Sequence, residues 1–278
     1  MMRQASVAVR REVIGFAGIV ERNTYLIRRF AWWELAWFLY TVANTLTIVF
    51  IAKGVEAAGY RLDVNRETIV LLIGAVVWSY LGLIFEIETE TVAWERWEGT
   101  IEYTFMAPLS RPAHLLGMGA FAVFYGVLRT VLLFVVVASF LDVHFGNPDF
   151  AAATLVLAIS SLSFVGIGMM TAVLPLISPE KGTQLGFIAQ GLLLVVSGVY
   201  YPVSVLPQWM QWISVVSPAT YTLEGARRAI LDGAGVAAIW DDIWPLIVIG
   251  VIAIPLGLYV FSRGERYAKQ HGRLKRSG

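Results

Sequence analysis

The stretch Trp94–Pro108, WERWEGTIEYTFMAP, is the longest polar interruption between two strongly apolar segments of this 278-residue chain. At helical spacing, Trp94, Trp97, Ile101 and Phe105 share one face, and Glu95, Glu98 and Glu102 form an acidic strip beside it. Gly99 falls in the middle of the pattern, where it costs about 1 kcal/mol relative to Ala in a helix. Pro108 biases Ala107 away from helix and ends the element. Ser110 and Pro112 then open the next helix. The pattern predicts a short amphipathic helix with one oily and one charged face, suited to docking a soluble partner. A solvated loop with a helical turn is the plainer reading.

Outward from this stretch the chain is unlike a soluble domain. It is 58% hydrophobic and 15% charged, against about 45–50% and 25% in soluble domains. The apolar residues come in runs of roughly 20, the length at which a helix crosses a bilayer core. The expected class is an all-α polytopic membrane protein, and the alternation of a barrel strand is missing. A net charge of +1 gives no sign of nucleic acid, and the absence of cysteine excludes disulfides and thiol chemistry.

Six transmembrane helices are expected, over about 30–52, 68–85, 113–140, 150–177, 184–200 and 243–261. The first opens on Trp32, Trp33 and Trp37, an aromatic belt. Glu86, Glu88 and Glu90 form an acidic segment beyond the second. Pro245 falls in the first turn of the sixth, and Pro255 is expected to bend it. Ahead of them, residues 6–29 read as a surface helix rather than a secretory signal. Val9, Val13, Phe16, Val20 and Ile27 form its apolar stripe, and Arg11, Arg22 and Arg29 lie opposite. Such a helix lies in the membrane interface, or packs on protein.

Lys and Arg fix the expected orientation. With the N-terminus inside, most of the 21 basic residues are cytoplasmic: Arg3, Arg10, Arg11, Arg22, Arg28, Arg29, Arg96, Arg111, Lys181, Arg263, Arg266, Lys269, Arg273, Lys275 and Arg276. Lys53, Arg61, Arg66, Arg227 and Arg228 remain outside. Both termini, and the Trp94 helix, are expected in the cytoplasm of a cell-membrane protein. Arg129 is left in the bilayer, facing protein, a wet cavity or the headgroups.

Residues 201–242 are too apolar for a free loop and too interrupted for one span. Pro207 suits the start of one short helix and Pro218 that of another, stopped at Gly233. Two helices folded back at the outer surface can satisfy their own backbone groups. A structured outer loop is the alternative.

Two motifs carry a family resemblance. Glu98-Gly99-Thr100-Ile101-Glu102 with Ala107-Pro108 is similar to the acid-Gly-Thr-x-acid … Pro signature of ABC-2 type transporter permeases. Ser197-Gly198-Val199-Tyr200-Tyr201-Pro202, Leu206-Pro207-x-Trp209, and Ser217-Pro218-Ala219-Thr220-Tyr221 with Glu224 resemble that family's re-entrant hairpin. Ser217 stands where Asn is usual. The resemblance implies an N-terminal interface helix (6–29), a first span pair (30–85), a cytoplasmic coupling region (86–112), a second pair (113–177), a fifth span with an extracellular re-entrant helical hairpin (184–242), a sixth span (243–262) and a cytoplasmic tail (263–278), all in one domain. It implies coupling to an ATPase through Glu95, Trp97, Glu98, Gly99, Thr100 and Glu102, with Glu180 and Lys181 in a second, smaller coupling loop.

The missing chemistry narrows the function. There is no G-x-x-x-x-G-K-[ST] loop, so ATP and Mg are expected in a separate ATP-binding subunit, with no cofactor in this chain. His114, His144 and His271 are scattered, and no metal site is expected. No serine sits in a nucleophile elbow. The resulting expectation is the permease subunit of an ATP-driven exporter, paired with a second permease copy and two ATPase subunits in membrane lipid. Its substrate is amphipathic: a drug, lipid or lipid-linked glycan. Asn44, Trp78, Tyr80, Gln190 and Tyr200 are candidates for lining its pathway, or for ordinary helix packing. A secondary transporter, which needs ionisable groups at mid-membrane, and a non-transporting scaffold are the competing readings.

Overall fold

The computed structural model describes residues 2–59, 63–141, 143–178 and 180–272, with side chains from residue 10 onward. Arg61, Pro179, Arg273, Lys275 and Arg276 lie outside the described residues. In chain order the elements are α1 (Met2–Arg29), α2 (Ala31–Ala57), α3 (Val64–Glu98), α4 (Ile101–Met106), α5 (Arg111–Ser139), α6 (Phe150–Thr171), α7 (Val173–Ile177), α8 (Gly182–Val196), a 3-10 turn (Val203–Val205), α9 (Gln208–Ser214), α10 (Pro218–Leu231) and α11 (Trp240–Gln270). No strand occurs among the described residues.

Among the described residues, five stretches are long and apolar enough to cross a bilayer: α2, α3, α5, α6 with α7, and α11. The expected fifth span, over 184–200, is not met at that length. α8 has 15 residues, about 22 Å at 1.5 Å per residue, short of a hydrocarbon core of about 30 Å. Gly198 then takes φ +68, and the chain turns into the short helices that end in α10. α3 departs in the other direction: it runs unbroken for 35 residues. Glu86, Glu88 and Glu90 are therefore inside a helix, not beyond its end. α11 starts at Trp240 and continues through Pro245 and Pro255 to Gln270. Pro245 thus lies past the first turn, and Arg263, Arg266 and Lys269 are helical.

Side-chain caps set several starts. The carboxylates of Asp63 and Asp149 accept from Arg66 N (3.1 Å) and Ala152 N (2.8 Å), and Ser110 Oγ accepts from Ala113 N (3.2 Å). Each satisfies one of the orphan donors of a first turn.

α3 is the core of the molecule. Leu72, Tyr80, Leu81 and Ile84 are sealed from solvent, enclosed by α2, α5, α6 and α10. α6 and α11 meet through small residues. A Cβ on Gly166 would sit 2.4 Å from the Ala253 carbonyl carbon, and one on Gly257 2.5 Å from the Gly166 carbonyl oxygen. Ser163 Oγ donates to Leu246 O at 3.0 Å across the same seam. Lipid gives no hydrophobic drive for helix association, so backbone approach and interhelical hydrogen bonds take its place.

Candidate functional site

The junction of α3, α4 and α5 holds the Trp94–Pro108 stretch, and it is not one helix. Gly99 adopts φ +76, a left-handed conformation open to glycine without steric cost. Its N–H donates to Arg96 O (3.1 Å), and that of Thr100 to Glu95 O (2.8 Å), the Schellman pattern of a helix end. Gly99 thus terminates α3 instead of weakening a helix interior. α4 restarts at Ile101 and stops at Met106, with Ala107 extended ahead of Pro108.

This break splits the expected apolar stripe. Ile101 is buried in the main core and contributes about 1.5–3 kcal/mol as the anchor of α4. Trp94 and Trp97 point outward on the last turns of α3, edge to face at 5.2 Å. Trp97 is 69% exposed, Tyr103 72% and Met106 71%. Glu98 and Glu102 are exposed among them. Phe105 is half-buried, with the Arg111 guanidinium 4.2 Å and the Lys269 ammonium 5.6 Å from its ring centre.

Glu95 departs from the acidic strip. Its side chain is 1% exposed and paired with Arg22 of α1, and His114 Nε2 lies 3.8 Å away. The strip is therefore Glu98 and Glu102 alone, and Glu95 fastens α1 beneath it. Arg22 is corrected with it, from the open polar face to the packed one. That packed face of α1 runs through Glu12, Ile19, Arg22 and Asn23, with Ile19 and Asn23 buried, and Val13 is left 60% exposed. Glu12 accepts from Ser110 N at 3.4 Å and from Ser110 Oγ. The Ser110 hydrogen bond outweighs burial and holds the Glu12 carboxyl below its usual range. Arg111 Nε reaches both oxygens of Glu265 (3.1 and 2.9 Å), and its Nη2 donates to Phe105 O (3.0 Å).

Arg96 ties in a second segment. It is buried, and its Nη1 donates to Pro175 O (3.2 Å) and to Leu176 O, carbonyls at the end of α7. Glu180 and Lys181 follow directly, both exposed. The structure thus brings Trp97, Glu98, Gly99, Thr100 and Glu102 together and puts Glu180 and Lys181 at the same end of the molecule. Thr100 is half-buried, its Oγ1 donating to Glu95 O at 3.3 Å.

The expected pathway residues are scattered. Asn44 is exposed on α2, its amide donating to Tyr40 O (3.2 Å). Trp78, Gln190 and Tyr200 are half-buried. Tyr80 is 0% exposed, with its hydroxyl 2.6 Å from Ser161 Oγ. It is a core residue of α3, and the lining expectation fails there because α6 covers it. Arg129 faces protein: its Nη2 donates to Thr41 Oγ1 of α2 at 3.2 Å, and Tyr125 donates to Glu34 Oε2 at 2.6 Å in the same layer.

Sequence reasoning missed two buried groups. Glu88 is 0% exposed, and neither oxygen has a partner among the described residues. Its signal was the spacing: of three acids two residues apart on a helix, the middle one faces away from the others. Glu95–Arg22 had no local signal, because the partners are 73 positions apart.

Residues 24–231, about three-quarters of the chain, match the family model described as ABC-2 type transporter. Over 160 residues the chain is 24% identical to the "probable multidrug ABC transporter permease YbhR" of Escherichia coli, strains K12 and O157:H7, covering 57% of this chain and 43% of that protein. Over 116 residues it is 30% identical to the "linearmycin resistance permease protein LnrN" of Bacillus subtilis 168, covering 42% of this chain and 29% of the relative. The chain thus spans less than half the length of these relatives.

Proposed function

Because this chain belongs to the ABC-2 type transporter family, we propose that it is the membrane permease subunit of an ATP-driven exporter, coupled to an ATP-binding subunit through the α3–α4 junction. The carrying observation is the exposed surface of Trp94, Trp97, Glu98, Glu102, Tyr103 and Met106, held rigid from beneath by Arg22–Glu95 and Arg96. Aromatics and methionine around a polar rim are the chemistry of a protein contact. The two carboxylates suit charge-assisted bonds to a basic cleft. Glu180 and Lys181 extend the same surface.

In this reading two permease copies pair and two ATP-binding subunits, which carry ATP and Mg, dock below. Exposed apolar faces support the pairing: Trp33, Trp37 and Tyr40 on α2, and Phe187, Ile188 and Leu192 on α8. The pathway runs at that seam, near Asn44, Trp78, Gln190 and Tyr200. α8 and the returning α9–α10 hairpin together make the sixth passage, and α1 lies along the cytoplasmic interface. The distribution of Lys and Arg supports cytoplasmic termini. The substrate is an amphipathic molecule moved outward. The relatives' names, one a multidrug and one a linearmycin resistance permease, support that class.

The test is co-purification with the cognate ATP-binding subunit, together with ATP-dependent transport in vesicles. Glu98→Lys and Trp97→Ala change exposed side chains and leave folding intact within about 0.5 kcal/mol. Both are expected to weaken co-purification and uncouple transport. Wild-type behaviour in both variants would remove the junction as the coupling site. A chain that assembles with no ATPase at all would be a scaffold.

A further inference from the structure

α11 carries a buried carboxylate near each end, and each is paired with an arginine of another element. Asp242, in the first turn, accepts from Arg228 Nη1 of α10 at 2.8 Å. Glu265 lies about 35 Å further along at 1.5 Å per residue and holds Arg111 of α5, whose Nε–H is shared between its two oxygens. A buried ion pair adds little net stability over a well-packed apolar contact, because desolvation offsets the attraction. What such a pair does fix is the orientation of the elements that carry it.

The inner end of α11 touches both segments of the surface proposed to face the ATPase. Arg111 also donates from Nη2 to Phe105 O, so one guanidinium joins α11 to the last turn of α4. Lys269, one turn beyond Glu265, bonds the same carboxylate at 2.7 Å and lies 5.6 Å from the Phe105 ring centre. α4 has only six residues, too few for a helix to hold itself in place. Its orientation is set by Ile101 in the core and by this clamp on Phe105. On α11, Gly264 packs so closely on α7 that an added Cβ would overlap the Val173 side chain. The end of α7 leads directly into Glu180 and Lys181.

We propose that Glu265 is a positioning residue for energy coupling. It seats Arg111, and through it α4, on α11, so that the α4 and α7 segments move together with α11. At the other end Asp242 hands that movement to Arg228 and the α9–α10 hairpin. Pro245 and Pro255 do not free the two ends from each other, because α6 splints the helix between them. Gly250 and Gly257 each leave no room for a Cβ against α6, and Ser163 Oγ bonds Leu246 O. This inference rests on the reading of the α3–α4 junction as the ATPase contact, and it adds the route by which movement there reaches the hairpin.

The test uses the full chain with its cognate ATP-binding subunit in lipid nanodiscs. The chain has no cysteine, so one introduced at Asp232, the exposed end of α10, is its sole thiol. Maleimide labelling of the permease band is followed with and without ATP, alongside ATP hydrolysis. The readout is the ATP-dependent change in labelling rate divided by the hydrolysis rate, which loss of fold or of docking, lowering both together, does not move. Without further substitution, ATP is expected to change labelling at least threefold. Glu265→Gln and Asp242→Asn, at opposite ends of α11, should each lower the ratio at least threefold, and Glu265→Asp, which keeps the charge, should recover part of it. No ATP-dependent change while hydrolysis proceeds, or an unchanged ratio in either folded variant, overturns the proposal. Failure of the unsubstituted chain to bind the ATPase would instead remove the reading beneath it, and the proposal with it.

Discussion

Replacing Arg22 by Leu tests the fastening beneath the α3–α4 junction, and the two halves of the ion pair differ in a way that sets the magnitude. Glu95 is 1% exposed and Arg22 34%. Arg22→Leu leaves a carboxylate that water cannot reach with His114 Nε2, 3.8 Å away, as its remaining polar neighbour. Removing one partner of a buried pair costs about 3–5 kcal/mol; partial exposure of Arg22 puts this case near the lower end, about 3 kcal/mol. Glu95→Leu strands instead a long side chain that can turn its guanidinium to water, at about 1 kcal/mol. The double variant leaves no unpaired charge and should also cost about 1 kcal/mol, because replacing both partners with apolar groups is often nearly neutral. The 2 kcal/mol difference between the single variants is about 30-fold in the unfolding constant. Denaturant titration in detergent micelles, read by tryptophan fluorescence and circular dichroism, resolves it. Equal costs for the two single variants, or a double variant costing their sum of about 4 kcal/mol, would refute the reasoning.

Gly99→Ala should destabilise by about 1–2 kcal/mol, the cost of a left-handed Cβ, and Gly99→Asn by less; equal stabilities for all three would show that φ at this position is free to change. Tyr80→Phe should cost about 1 kcal/mol through the lost bond to Ser161 and leave substrate transport at wild-type level, since the ring is sealed in the core; altered substrate preference would return Tyr80 to the pathway. Membrane-impermeant labels should reach a cysteine at Asp232 from outside, and cysteines at Glu102 and Lys181 only from inside; outside access at Glu102 would sink the coupling assignment.

Much of the fold was legible because a bilayer imposes one length on every crossing. The apolar runs at 30–52 and 113–140 became α2 and α5 with ends displaced by a few residues. The end of α3 was misplaced because Glu86, Glu88 and Glu90 look like solvated loop, whereas a helix end requires a stop signal, and the first is Gly99. The same glycine explains the misread stripe. Helical spacing relates Trp94 to Ile101 only while the helix continues, and the left-handed residue between them turned Ile101 inward while Trp94 and Trp97 stayed out. Glu95 fitted the acidic strip by spacing. Its partner on α1 could be found only once the two helices were packed, and Tyr80 looked available until α6 covered it.

α3 runs from Gly74, where an added Cβ would fall 2.2 Å from the Val199 carbonyl oxygen, to the junction with α4. It has no proline and spans about 52 Å at 1.5 Å per residue. It is gripped near its middle, where Tyr80 meets Ser161. Such a rod is a lever with its fulcrum in the core. A tilt of about 5° about Tyr80 carries Glu98, about 27 Å away, through about 2.4 Å, and moves the Gly74 end by a smaller distance in the opposite sense. Movement imposed at the Trp94–Trp97 end therefore reaches the Val199 carbonyl seated on Gly74 without any change in the helix itself.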